Sequence, residues 1–146
     1  MKNISNIFFK ERILVYGLGI SGLSAYNFLK KKNDVFLYDD FLKNIKIRKI
    51  RKHIISQKNI TKTKFDKIIL SPGIDKNRCK LSKFLKKNSF KIYSDIDVFY
   101  SYYKNNCITI TGTNGKSTTC KLLYDVLLDQ KLDVRLVGNI GNPILS

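Results

Sequence analysis

Two glycine-rich turns carry residue types that handle phosphate. The first, Gly17-Leu18-Gly19-Ile20-Ser21-Gly22, has GxGxxG spacing. Glycines so placed permit a tight turn and let backbone amides approach a diphosphate at a helix N-terminus, where the helix dipole favours negative charge. Asp39 follows about 20 residues on, where an acidic ribose contact would fall in such an arrangement. Taken alone, this spacing also fits a structural glycine turn that binds nothing. The second turn, Thr111-Gly112-Thr113-Asn114-Gly115-Lys116-Ser117-Thr118, is the stronger signal. Its GKS end is that of a phosphate loop, in which successive amides cradle phosphates, lysine neutralises the terminal ones and the hydroxyl takes magnesium. It departs from the GxxxxGK[ST] spacing: Ile110 stands where the first glycine belongs, and the glycine falls at Gly112.

Both turns need a strand before them and a helix after. Arg12 to Tyr16 is a short apolar run ending at Gly17, and Leu23, Tyr26, Phe28 and Leu29 then recur at roughly helical spacing. Asp34 to Tyr38 is a second β-rich run that stops at Asp39-Asp40, completing a βαβ unit whose parallel strands need the helix as a crossover. The stretch from Phe41 to Thr63, with Ile45, Ile47, Ile50, Ile54 and Ile55, fits either a short helix or a strand. Lys67 to Leu70 reads as a buried strand punctuated by Ser71-Pro72-Gly73, with a helix near Leu81 to Leu85, a strand at Lys91 to Tyr93 and a helix from Asp95. Lys104-Asn105-Asn106 reads as a linker. Beyond it Cys107 to Thr111 is expected as a strand, Lys116 to Gln130 as a helix with Leu122, Leu123, Val126 and Leu127 on its apolar stripe, and Val134 to Val137 as a further strand. The expected fold class is α/β: a Rossmann-like parallel-sheet domain over 1–104, followed over 105–146 by the start of a P-loop-type ATP-binding α/β domain.

Composition narrows the function classes. With 43% hydrophobic and 27% charged residues in 146, the chain is of the globular kind. No apolar stretch approaches the roughly 20 residues of a membrane span, and Met1 to Lys10 is too short in apolar residues for a signal peptide, so a cytoplasmic protein is expected. Cys79, Cys107 and Cys120 form no CxxC pair and suggest neither a disulfide framework nor a zinc site. The net charge of +17 raises the question of a polyanion partner. From Lys43 to Lys67 the basic residues are interleaved with isoleucine rather than with stacking aromatics, which reads as a solvated surface and not a nucleic-acid site. His53 has no visible partner and is assigned no role. Tyr100, Tyr102 and Tyr103 are expected to pack against the domain.

The loop TGTNGKST after a β-rich run resembles the ATP loop of the Mur ligases and their folate-adding relatives. GLGISGLS at 17–24, SPGI at 71–74, SDIDVF at 94–99 and GNIG at 138–141 follow in the order found in the branch of that family that adds D-glutamate. The resemblance implies an ATP-dependent ligase of peptidoglycan synthesis. A first domain would bind UDP-N-acetylmuramoyl-L-alanine and a second would bind ATP and Mg²⁺. Gly17, Gly19, Ile20, Ser21 and Gly22 would hold the diphosphate or nucleotide. Asp39 and Asp40 would lie near the uracil, Ser71, Pro72 and Gly73 would complete the pocket, and Asn139 would reach the pyrophosphate region. Gly112, Thr113, Asn114, Gly115, Lys116, Ser117 and Thr118 would hold ATP, with Lys116 as the catalytic cation and Ser117 as the metal ligand. ATP would phosphorylate the alanyl carboxylate, and the amine of D-glutamate would attack the acyl phosphate. Phe41 stands where the family commonly has an arginine. The resemblance also implies later metal-binding and amino-acid-binding parts that these 146 residues do not match, so the chain by itself is expected to be inactive as a ligase. An NAD(P)-dependent oxidoreductase would use GxGxxG and Asp39 but leave the phosphate loop without a purpose.

Overall fold

The computed structural model describes residues 7–42, 49–104, 106–138, 140 and 142–146. Its centre is a four-stranded, all-parallel sheet in the order β2-β1-β3-β4. The strands are β1 (Arg12–Tyr16), β2 (Asp34–Tyr38), β3 (Lys67–Leu70) and β4 (Ile92–Tyr93). The helices are α1 (Ile20–Leu29), α2 (Gln57–Ile60), α3 (Ser82–Lys87), α4 (Asp95–Tyr102) and α5 (Lys116–Asp129).

β1 is a continuous apolar run because it is an inner strand: both its edges pair and both its faces are covered. Ile13 and Val15 point to one face and Leu14 and Tyr16 to the other, and all four are fully buried. On the first face they meet Ala25, Tyr26 and Leu29 of α1 and Val98 of α4. On the second they meet Ile60 of α2, Phe65, Leu81 and Leu85. α1 presents Gly22, Ala25, Tyr26 and Leu29 inward, the i, i+3, i+4, i+7 spacing of a core-facing stripe. A capping box starts α4: Ser94 Oγ accepts from the Asp97 amide while the Asp97 carboxylate accepts from the Ser94 amide at 2.7 Å.

The stretch that the sequence left open between helix and strand proves to be neither over its full length. Its described part holds a 3-10 turn at Arg51–His53, a bridge from Ile54 to Leu37 beside β2, and the one-turn α2; residues 43–48 lie outside the described residues.

The larger departure comes after residue 104. α5 forms as expected, but it has no buried residue, with Leu122 62% and Val126 56% exposed. The strands expected at Cys107–Thr111 and Val134–Val137 are not formed; Val137 makes a single bridge to Asn142. A strand is completed only by a neighbour that satisfies its amides and carbonyls, and among the described residues no ladder forms beside either stretch. The β pattern in the sequence therefore stays unexpressed here, and of the second α/β domain expected after residue 104 only a loop and a helix are formed among the described residues.

Candidate functional site

Sheet order fixes where a cleft can open. From β1 the chain moves out to β2 on one side and later to β3 on the other, so the connections leave β1 and β3 in opposite directions. In open α/β sheets the crevice at that switch point, beyond the carboxyl ends of the strands, is where ligands sit. Gly17 follows β1 and Ser71 follows β3, so both lie at this point.

The local packing explains the glycines. Gly17 has φ +94°, and a Cβ there would fall 2.7 Å from Ser71 Cβ. Gly22, in the first turn of α1, lies so close under the loop that a Cβ would come within 1.8 Å of the Gly17 carbonyl oxygen. Ser71 Oγ donates to that same oxygen at 2.8 Å, tying the loop after β3 to the loop after β1. A Cβ at Gly19 would meet nothing within 4 Å, so this residue faces open space. Gly19 caps α1 without any side-chain bond, and no acidic residue stands in the first turn, which leaves the positive end of the helix for an anion.

The result is a cleft of about 430 Å³ lined by Gly17, Gly19, Ile20, Ser21, Asp39, Ser71, Pro72 and Gly73, together with Ile74, Gly138 and Pro143. Eight of the residues assigned to the first site from sequence are thus brought together. Gly22 is used in packing beneath the loop. Asp40 is outside the lining: its Oδ2 accepts from Tyr16 Oη at 2.9 Å and from the Lys80 amide at 3.1 Å. Asn139 lies outside the described residues. Ile74, Gly138 and Pro143 were missed. Ile74 directly follows the Ser71-Pro72-Gly73 signal, whereas Pro143 carries no motif that would have marked it.

Asp39 does two things. It lines the cleft, and its carboxylate braces the loops around it, Oδ2 accepting from the Leu18 amide at 2.7 Å and Oδ1 from the Phe41 amide at 2.8 Å. Behind it, Tyr16 and Tyr38 meet edge to face at 5.2 Å. Burial pushes the Tyr38 phenol up to about 12, with the Asp40 charge adding to it. The Tyr16 phenol is pushed up further, by burial first and then by its hydrogen bonds with Cys79 and Asp40.

The second turn is differently placed. Gly112 (φ +150°) and Gly115 (φ +74°) adopt backbone that only glycine takes readily, and Gly115 caps α5 in the left-handed conformation without a side-chain bond. Lys116 Nζ is folded back onto the carbonyl oxygens of Gly112 and Thr113. Positive-φ glycines, a helix start with no acid in its first turn and a lysine at the loop's mouth fit a phosphate chain. Residues 112–118 line neither the switch-point cleft nor a second cleft of about 340 Å³ between Tyr124, residues 134–137, Asn142 and Ser146. Among the described residues no group of three or more His, Cys, Asp or Glu could hold a metal, and no helix is long and apolar enough to cross a membrane.

The parallel sheet and its switch-point cleft define a doubly wound α/β protein of the kind that receives small ligands beyond its strand ends. A family model described as the Mur ligase MurD-like N-terminal domain matches residues 11–92, which hold β1, β2 and β3 and reach the first residue of β4. The chain belongs to the Mur ligase family. It is 40% identical over 141 residues to a UDP-N-acetylmuramoylalanine–D-glutamate ligase from Rickettsia bellii, covering 94% of this chain and 31% of the relative. It is 38% identical to the ligase of that name from Buchnera aphidicola (subsp. Schizaphis graminum), covering 95% and 32%, and 33% identical to the one from Aquifex aeolicus, covering 90% and 29%. The chain therefore spans under a third of the length of these relatives. This membership does not favour the oxidoreductase reading of GxGxxG.

Proposed function

We propose that the chain binds UDP-N-acetylmuramoyl-L-alanine in the switch-point cleft and belongs to a cytoplasmic ATP-dependent ligase that joins D-glutamate to it through an acyl phosphate. The observation that carries this reading is the convergence of Gly17, Gly19, Ile20, Ser21, Asp39, Ser71, Pro72 and Gly73 on one cleft in a chain of this family. The bare start of α1 would receive the diphosphate, with Gly19 leaving room for its oxygens. Asp39, already fixed by two backbone amides, would present its carboxylate edge to the nucleoside. Asp40, held by Tyr16 and Lys80, would act by shaping the turn after β2 rather than by touching ligand.

Gly112 to Thr118 would hold ATP, Lys116 leaving the loop carbonyls to meet phosphate oxygens and Ser117 offering its hydroxyl to Mg²⁺. When bound, the cation supplies charge neutralisation at the phosphates. Because the chain spans under a third of its relatives, the 146 residues by themselves are expected to bind without D-glutamate-dependent phosphate release. The first test is calorimetric titration of the chain with UDP-N-acetylmuramoyl-L-alanine, with NADH in parallel. Saturable binding of the uridine compound is expected; NADH binding without it would overturn the proposal.

A further inference from the structure

Asn142–Ser146 follows α5 in sequence, yet it packs against the core of the sheet. Leu145 is 6% exposed within the cluster formed by Ile13, Val15, Ala25 and Val98, and Ile144 packs on the same cluster. The hydrogen bonds described for the segment close within it or on Gly138: Ser146 N donates to Pro143 O at 3.0 Å, Ser146 Oγ to the same oxygen at 2.7 Å, and Gly138 N to Asn142 O at 2.9 Å. The turn so formed has two lined sides. Pro143 and Gly138 line the switch-point cleft with Gly17 and Ser71, while Asn142 and Ser146 line the second cleft with Tyr124 of α5.

We propose that Asn142–Ser146 is a strap that completes the uridine-nucleotide cleft, and that Leu145 is the positioning residue that seats it. The inference rests on the reading of the cleft given above. Proline offers a ring of fixed backbone geometry and no amide proton, so Pro143 contributes shape to the wall and is useful only where it is held still. The strap's described hydrogen bonds run within it and to Gly138, and its described contact with the core is the burial of Leu145 and the packing of Ile144. Shortening Leu145 should release Pro143 from the cleft while leaving the strand ladders of β1 with β2 and β3 in place.

The experiment uses the full chain with Leu145→Ala and Leu145→Met, uridine diphosphate as the probe, calorimetry for affinity and amide hydrogen exchange for local order. Leu145→Ala is expected to weaken binding by at least about tenfold, and Leu145→Met, which keeps the apolar volume, to stay within about twofold. Even without ligand, the amides of Gly138 and Ser146 should exchange faster in Leu145→Ala while those of Ile13 to Tyr16 keep their protection. Wild-type affinity in Leu145→Ala overturns the proposal. So does an affinity loss matched by equal deprotection of β1, since Leu145 would then be a core residue and nothing more. Failure of the cleft reading is distinguishable: the wild-type chain would not bind uridine diphosphate at all, before any substitution is made, and the strap's role would fall with it.

Discussion

The chain contains the same local device twice, a glycine loop leading into a helix, and the two copies end in different states. Around Gly17 the loop is closed in by its neighbours: Gly22 lies beneath it, Ser71 bonds across it, and α1 buries four residues behind it. Around Gly115 the loop and α5 are formed, but none of the fourteen residues of α5 is buried. A glycine-loop motif specifies a local conformation; a cavity requires other elements to converge on it. That lesson makes sharp demands on substitutions in the two regions.

The largest expected effect is Gly22→Ala. Its Cβ would collide with the Gly17 carbonyl oxygen, so we expect a loss of at least about 3 kcal/mol and of uridine-nucleotide binding, read by thermal melting and titration. The matching change in the second loop, Gly115→Ala, meets no atom within 4 Å and should cost only the roughly 1–2 kcal/mol of left-handed backbone, confined to the start of α5. Similar losses of global stability for the two would break the comparison. Next, Leu14→Ala should cost about 2–5 kcal/mol, whereas Leu122→Ala on α5 should stay within about 0.5 kcal/mol.

Alkaline unfolding should report on the buried tyrosines of the first region. Unfolded tyrosine releases its proton near 10, while Tyr38 in the folded chain holds it to about 12. The unfolded state thus binds fewer protons across this window, and stability should fall as pH rises from about 10 to about 12. Tyr38→Phe should flatten that fall in a pH series of denaturant melts. The smallest expected effect on the fold is that of Lys116→Met: ATP binding should be lost while melting and uridine diphosphate affinity stay unchanged. A change in uridine diphosphate affinity would mean the two regions are coupled.

What the sequence made legible followed from patterns long enough to be read. The run Ile13-Leu14-Val15-Tyr16 and the helical spacing of the apolar residues in α1 each state their own structure. The isoleucines between 50 and 60 do not, because they serve in turn a 3-10 turn, a single bridge and a one-turn helix, none of which repeats a period. Cys107 to Thr111 reads as a strand by residue type, but pairing is a property of neighbours and is not written in the run itself. At the candidate site, spacing located Asp39, and the resemblance added Asp40 beside it without separating their roles. Successive residues leaving a strand end point in different directions, and here one faces the cleft and the other Tyr16.

The position of β1 has a consequence for synthesis. It is made first among the strands but ends in the middle of the sheet, and its second partner, Lys67–Leu70, is more than fifty residues further along. While the ribosome adds those residues, at about 5–20 per second, an Ile-Leu-Val-Tyr strand waits for seconds with one edge open. Nascent-chain vulnerability should therefore peak before Leu70 emerges and fall sharply once it does, which makes that interval the time when a chaperone would find most to hold.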